Sequence, residues 1–135
     1  MVTIAELAIL LEAGKYEVCL DMIFRSCLSE SEIEDPVTLN IAGICFAQLG
    51  ELSAAEDMFK KALAVDERYE KARLNLVNVL FDRVKVEEAI EQSYLLADTT
   101  RNSIDIIITG LRRNAREISS EELVQYLLRC IPRHA

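Results

Sequence analysis

Apolar residues recur at steps of three and four along nearly the whole chain. That spacing places them on one face of an α-helix. It predicts eight helices, over residues 2–12, 16–28, 36–49, 52–65, 69–82, 86–97, 103–115 and 120–131. The punctuation between them agrees. Gly14 and Gly50 stand where helices should stop, as residues able to turn left-handed. Asp35-Pro36 reads as an N-cap followed by proline at the first helical position. Ser119 and Glu122 have the spacing of a capping box. Helices this long, joined by turns this short, fold as antiparallel hairpins.

The hairpins repeat. The stretches AGKYEVCLDMIF (13–24), LGELSAAEDMFK (49–60) and RVKVEEAIEQSY (83–94) align without gaps. Gly14, Gly50 and Val84 correspond, 36 and then 34 residues apart. Five residues after each turn comes a small side chain: Cys19, Ala55 and Ala89. A further step of 34 reaches Ile118, just before the last helix, where Leu123 replaces the small residue. The run IDIIIT (104–109) is β-branched and could read as a strand. The repeat register and the lack of any partner strand assign it to a helix.

A two-helix unit of this period resembles the tetratricopeptide repeat. The likeness covers nearly the whole chain and is fullest in the middle unit. There Leu39, Ala42, Gly43, Phe46, Gly50, Ala55, Phe59 and Ala62 match the family's alternation of large, small, aromatic and turn positions. The third unit keeps Leu76, Leu80 and Ala89 but lacks the glycines, and Glu67 stands where the family usually has proline. The resemblance implies an all-α fold, a right-handed α-solenoid of antiparallel helix pairs. It would form a single domain of units at about 1–34, 36–68, 69–102 and 103–135. Gly43 costs about 1 kcal/mol relative to alanine inside a helix. The expected return is close approach, with Gly43 facing Ala55 across the hairpin and Phe46 and Phe59 filling the space around them.

Composition narrows the function. The chain has 135 residues, 51% apolar, with two prolines and four glycines, which suits an ordered helical domain. Net charge is −8, so nucleic acid and anionic membrane are poor partners. The charge is uneven. Residues 1–100 carry 9 basic and 19 acidic side chains, whereas residues 101–135 carry 6 and 4. The amino-terminal segment lacks a basic leader and is interrupted by Glu6 and Glu12, so it reads as an amphipathic helix rather than a signal peptide. No apolar run approaches the ~20 residues that span a bilayer. A cytoplasmic location is the expectation.

No catalytic constellation is visible. His134 is the one histidine and stands next to the last residue, which leaves no histidine-based triad. The glycines form no phosphate-cradling loop. Cys19, Cys27, Cys45 and Cys130 lack metal-ligand spacing and lie in apolar helical patterns, as buried thiols do. The acidic residues Glu30, Glu32, Glu34 and Asp35 lack the EF-hand spacing, and Glu87, Glu88 and Glu91 read as a solvated helix face. Arg112, Arg113 and Arg116 read as a solvated face or as a contact for an acidic partner. The expectation is a protein that is not an enzyme and holds no metal or cofactor.

The resemblance implies that the first helix of each unit lines a concave groove that binds a partner protein or peptide. By register that stripe is Ile4, Ala8, Leu11 and Glu12, then Val37, Asn40, Ile44, Ala47 and Gln48, then Lys71, Leu74, Asn78, Phe81 and Asp82, and finally Asp105, Ile108, Arg112 and Arg116. Its apolar content suits an apolar or amphipathic segment. The family's clamp for acidic chaperone tails would need basic and amide residues where Ile4, Ala8, Ile41, Lys71 and Asn75 stand; only Lys71 fits, so that mode is rejected. The expected function is a protein-interaction adaptor or scaffold. The alternatives are a small acidic chaperone of a bacterial secretion system, or a self-assembling scaffold in which a second copy or the last helix fills the groove.

Overall fold

The computed structural model describes residues 2–25, 34–96 and 100–134, with side chains at 2–25, 34–96 and 104–129. Eight α-helices and no strand occur among them: α1 (Ile4–Glu12), α2 (Tyr16–Arg25), α3 (Pro36–Gln48), α4 (Leu52–Val65), α5 (Glu70–Asp82), α6 (Val86–Tyr94), α7 (Thr100–Arg113) and α8 (Ser120–His134). The β-branched run 104–109 is helical, inside α7. The predicted ends of α2 at 26–28 and of α6 at 97 lie outside the described residues, as do Cys27 and the side chains of Cys130 and His134.

The expected caps form. The Asp35 carboxylate accepts the Val37 amide at 3.0 Å, with Pro36 opening α3. Ser119 Oγ accepts the Glu122 amide at 3.1 Å at the start of α8. A cap not foreseen starts α1, where Thr3 Oγ1 accepts the Glu6 amide at 3.2 Å. Thr3 and Glu6 have capping-box spacing, and that spacing places the first helical residue at Ile4 rather than residue 2.

The repeat is visible in the turns. Gly14, Gly50 and Val84 all have positive φ, at 73°, 81° and 59°. Each turn closes with the same two hydrogen bonds. Gly14 N donates to Leu11 O and Lys15 N to Leu10 O; Gly50 N to Ala47 O and Glu51 N to Phe46 O; Val84 N to Phe81 O and Lys85 N to Leu80 O. The pattern satisfies carbonyls that a helix end leaves unpaired. Glycine reaches this conformation freely, whereas L-residues resist it by roughly 1–2 kcal/mol. Val84 therefore holds a strained turn that the other two units make with glycine. The small residue five positions on is fully buried each time, at Cys19, Ala55 and Ala89.

The chain divides into two compact units, Met1–Asn75 and Leu76–Ala135, with the boundary inside α5. In the first, α1 packs on α2 and α3, and α3 packs on α2 and α4. Leu7, Cys19, Ile23, Leu39, Cys45 and Phe59 are its largest closed side chains. Phe24 and Phe46 meet with ring centroids 6.2 Å apart, a favourable tilted contact. Gly43 makes room for close packing, and the nearest atoms that a side chain there would meet belong to the Phe59 ring. A Cβ at residue 43 would lie 2.7 Å from Phe59 Cδ1 and 2.8 Å from Cζ. Burying that ring is worth about 1.5–3 kcal/mol, which outweighs the helix penalty of the glycine.

In the second unit α7 packs on α6 and on α8. Its core includes Leu76, Val77, Leu80, Phe81, Ile107 and Leu111. Gly110 repeats the device of Gly43, since a Cβ there would overlap the Phe81 ring.

Candidate functional site

The stripe expected to meet a partner divides between the two units. In Met1–Asn75, Ile4 and Leu74 are each 40% exposed. Leu11, Val37 and Ile44 are half-buried, while Gln48 and Lys71 are exposed. Asn40 departs from expectation: it is buried, and its side-chain oxygen accepts a 2.9 Å hydrogen bond from Asn75 Nδ2. Its amide is thus engaged with α5 rather than offered to solvent. A buried amide left unpaired costs about 1–3 kcal/mol, so this pair fixes α3 against the start of α5.

In Leu76–Ala135, Asn78 and Arg112 are exposed and Ile108 is 41% exposed. Phe81 is the clear correction. It is 1% exposed and lies against Gly110, so it is a core residue and no surface for a partner. The missed signal was Gly110 itself. A glycine inside an apolar helix leaves a hole that a neighbouring ring fills, as Gly43 does for Phe59.

Beside Asn78 lies a shallow hollow of ≈ 180 Å³, lined by Asn78, Asp105, Ile106, Thr109, Gly110 and Arg113. Its floor at Gly110 is backbone, and the Phe81 ring occupies the place where a side chain would lie. Arg113 spans back to α5, with Nη1 3.4 Å from Asp82 Oδ1 and Nη2 donating to Asn78 O at 3.5 Å. Both ends of that ion pair are nearly half exposed, so it contributes at most about 1 kcal/mol. Arg112 and Arg116 are exposed beside it.

Two other features matter chemically. Cys19 and Cys45 are fully enclosed free thiols that meet each other, and Cys19 Sγ donates to Leu7 O at 3.8 Å. Burial pushes the Cys45 thiol up to about 12, with the neighbouring Cys19 adding to the shift. Burial also raises Cys19. Such thiols are poor nucleophiles. In α8, Arg129 Nη1 lies 2.6 Å from Glu87 Oε1 and its guanidinium 6.0 Å from the centre of the Tyr126 ring. Burial, then the Glu87 and Glu122 carboxylates, raise the Tyr126 phenol. Val124, Leu127 and Leu128 on the same helix are exposed.

Among the described residues, no three cysteine, histidine or acidic side chains gather as a metal site. No described helix is long and apolar enough to cross a membrane. No protein-family model matches the chain, and no curated protein matches it in sequence.

Proposed function

We propose that the chain is a tetratricopeptide-type repeat protein, a right-handed α-solenoid of helix pairs, that binds a segment of a partner protein along its first helices and does no chemistry itself. The observation that carries this reading is the recurrence of one turn geometry at Gly14, Gly50 and Val84, each followed by a fully buried small residue. A scaffold built by repetition presents equivalent positions of successive units side by side. In three of the four units one such position holds a large apolar residue that stays accessible, Ile4, Leu74 and Ile108, whereas the second unit has buried Asn40 there. Accessible apolar side chains that recur in register suit an apolar or amphipathic segment.

The test is Leu74→Glu and Ile108→Glu. At 40% and 41% exposure, a glutamate remains in water, and surface changes of this kind shift stability by about 0.5 kcal/mol or less. The expected result is unchanged melting with loss of the native partner on affinity capture. Retained binding in both variants would overturn the assignment of this face. The exposed Val124, Leu127 and Leu128 of α8 favour one further reading, association between copies. Sedimentation that depends on concentration in the wild type, and is abolished by Leu128→Glu, would support it.

A further inference from the structure

We infer that the hollow between α5 and α7 is a recognition site for a short extended peptide carrying a basic and an acidic residue about four positions apart. This rests on the partner-binding reading above and names the chemistry of the partner at one place.

The hollow is polarised along α7. Asp105 lines one end and Arg113 the other, eight residues apart. At 1.5 Å per residue that is about 12 Å along the helix. An extended peptide covers the same distance in about four residues at roughly 3.3 Å each. A basic side chain over Asp105 and an acidic one over Arg113 would then both find opposite charge. Exposed Arg112 adds to the positive end.

Between the two charges the lining sets polar Asn78 and Thr109 beside apolar Ile106 and Gly110. Asn78 offers both a donor and an acceptor, and Thr109 a hydroxyl. Those groups match a peptide N–H and C=O. Gly110 contributes backbone alone to the lining, because the Phe81 ring takes the place of its side chain. Ile108 stands exposed on the neighbouring stripe of α7 and supplies an apolar contact for the residue between the charges.

The present partner of Arg113 does not block this use. Its contact with Asp82 is 3.4 Å long and nearly half exposed on both sides, so an incoming carboxylate can share or replace it at small cost. The site differs from a clamp for acidic tails, because Asp105 would repel a second carboxylate there. It also differs from a plain apolar groove, because both ends are charged.

The probes are three capped synthetic peptides, Lys-Ala-Leu-Ala-Glu, Glu-Ala-Leu-Ala-Glu and Lys-Ala-Leu-Ala-Lys. Each is titrated into the full chain labelled with nitrogen-15, and amide shifts are followed. The mixed-charge peptide is expected to move Thr109, Gly110 and the Asn78 side-chain amide. Exchanging one exposed attractive pair for a repulsive one should weaken binding of either like-charged peptide about fivefold, which corresponds to about 1 kcal/mol. Asp105→Asn combined with Arg113→Gln should remove that discrimination and leave the rest of the spectrum in place. Equal binding of all three peptides at Leu74 and Ile108, with no shift at Asn78 or Gly110, would overturn the hollow while sparing the apolar-face reading. Absence of any shift at millimolar peptide would overturn the hollow, and retention of the native partner by the Leu74→Glu and Ile108→Glu proteins would separately remove the wider reading.

Discussion

Gly43→Ala decides whether the small residues of this chain exist for close packing. Helix propensity alone makes the substitution favourable by about 1 kcal/mol, since alanine loses less backbone freedom than glycine. Packing works against it. The new methyl would lie 2.7 Å from Phe59 Cδ1 and 2.8 Å from Cζ, well inside the ~3.5–4.0 Å at which carbons attract. The obstacle is a rigid ring that is 1% exposed, so it has no free end to swing away. Overpacking of this kind costs about 1–3 kcal/mol, occasionally more. An overlap this deep lies at or above the upper end, so after the helix gain the net loss is about 2 kcal/mol or more. For a chain of 135 residues each kcal/mol moves Tm by about 3–5 °C. Urea unfolding followed by circular dichroism measures the same quantity at constant temperature. The control is Gly43→Ala in a Phe59→Leu background, where the smaller side chain frees space and the two changes should cost less together than apart. A Tm that rises in the single variant would refute the packing argument and leave helix propensity in charge.

Other outcomes follow from the same geometry. Val84→Gly should stabilise by about 0.5–1 kcal/mol, because relief of the left-handed strain exceeds the added freedom of the unfolded chain, whereas Gly50→Ala should destabilise by about 1 kcal/mol; paired urea titrations read both signs. Phe81→Glu places an unpaired carboxylate in the core of the second unit and should cost several kcal/mol, so its melting transition should collapse at every protein concentration. Cys19 and Cys45 should react slowly with an aromatic disulfide reagent at about pH 8 until denaturant is added, because both are enclosed and burial holds them protonated; rapid native labelling of either would contradict that. The Cys45 thiol is raised to about 12 when folded and titrates near 8.5 when unfolded. Its contribution is therefore full below about pH 8.5 and is lost as pH rises toward 12, and Cys45→Ala should flatten that part of the alkaline decline in stability.

The helices were legible because their signals are local. The three-four spacing, Asp35-Pro36 and the glycines at 14 and 50 each act over a few residues. The resulting boundaries agree with the structure to within about three residues. α1 starts two residues later than the apolar spacing predicts, because the Thr3 cap fixes its first residue at Ile4. Even β-branched 104–109 could be assigned to a helix, since register outweighs propensity when no strand partner exists. The surface was harder to read. Leu74 and Phe81 are seven residues apart and share a helical line, yet one is 40% exposed and the other 1%. What separates them is Gly110, which admits the Phe81 ring and is 29 residues away in sequence. Asn40 differs for a similar reason, because Asn75 reaches it from another helix. Periodicity tells which residues share a line, but only tertiary neighbours decide whether that line is covered.

The most direct measurement is site-specific photocrosslinking in the native cell. Benzoylphenylalanine would be placed at Leu74 or Ile108 on first helices, and at Val18 or Val65 on second helices. All four residues are 40–52% exposed, so accessibility alone cannot separate them. Binding along the first helices predicts one discrete adduct shared by positions 74 and 108 and none from positions 18 and 65. Adducts of equal yield from all four, or from the second helices alone, would contradict it.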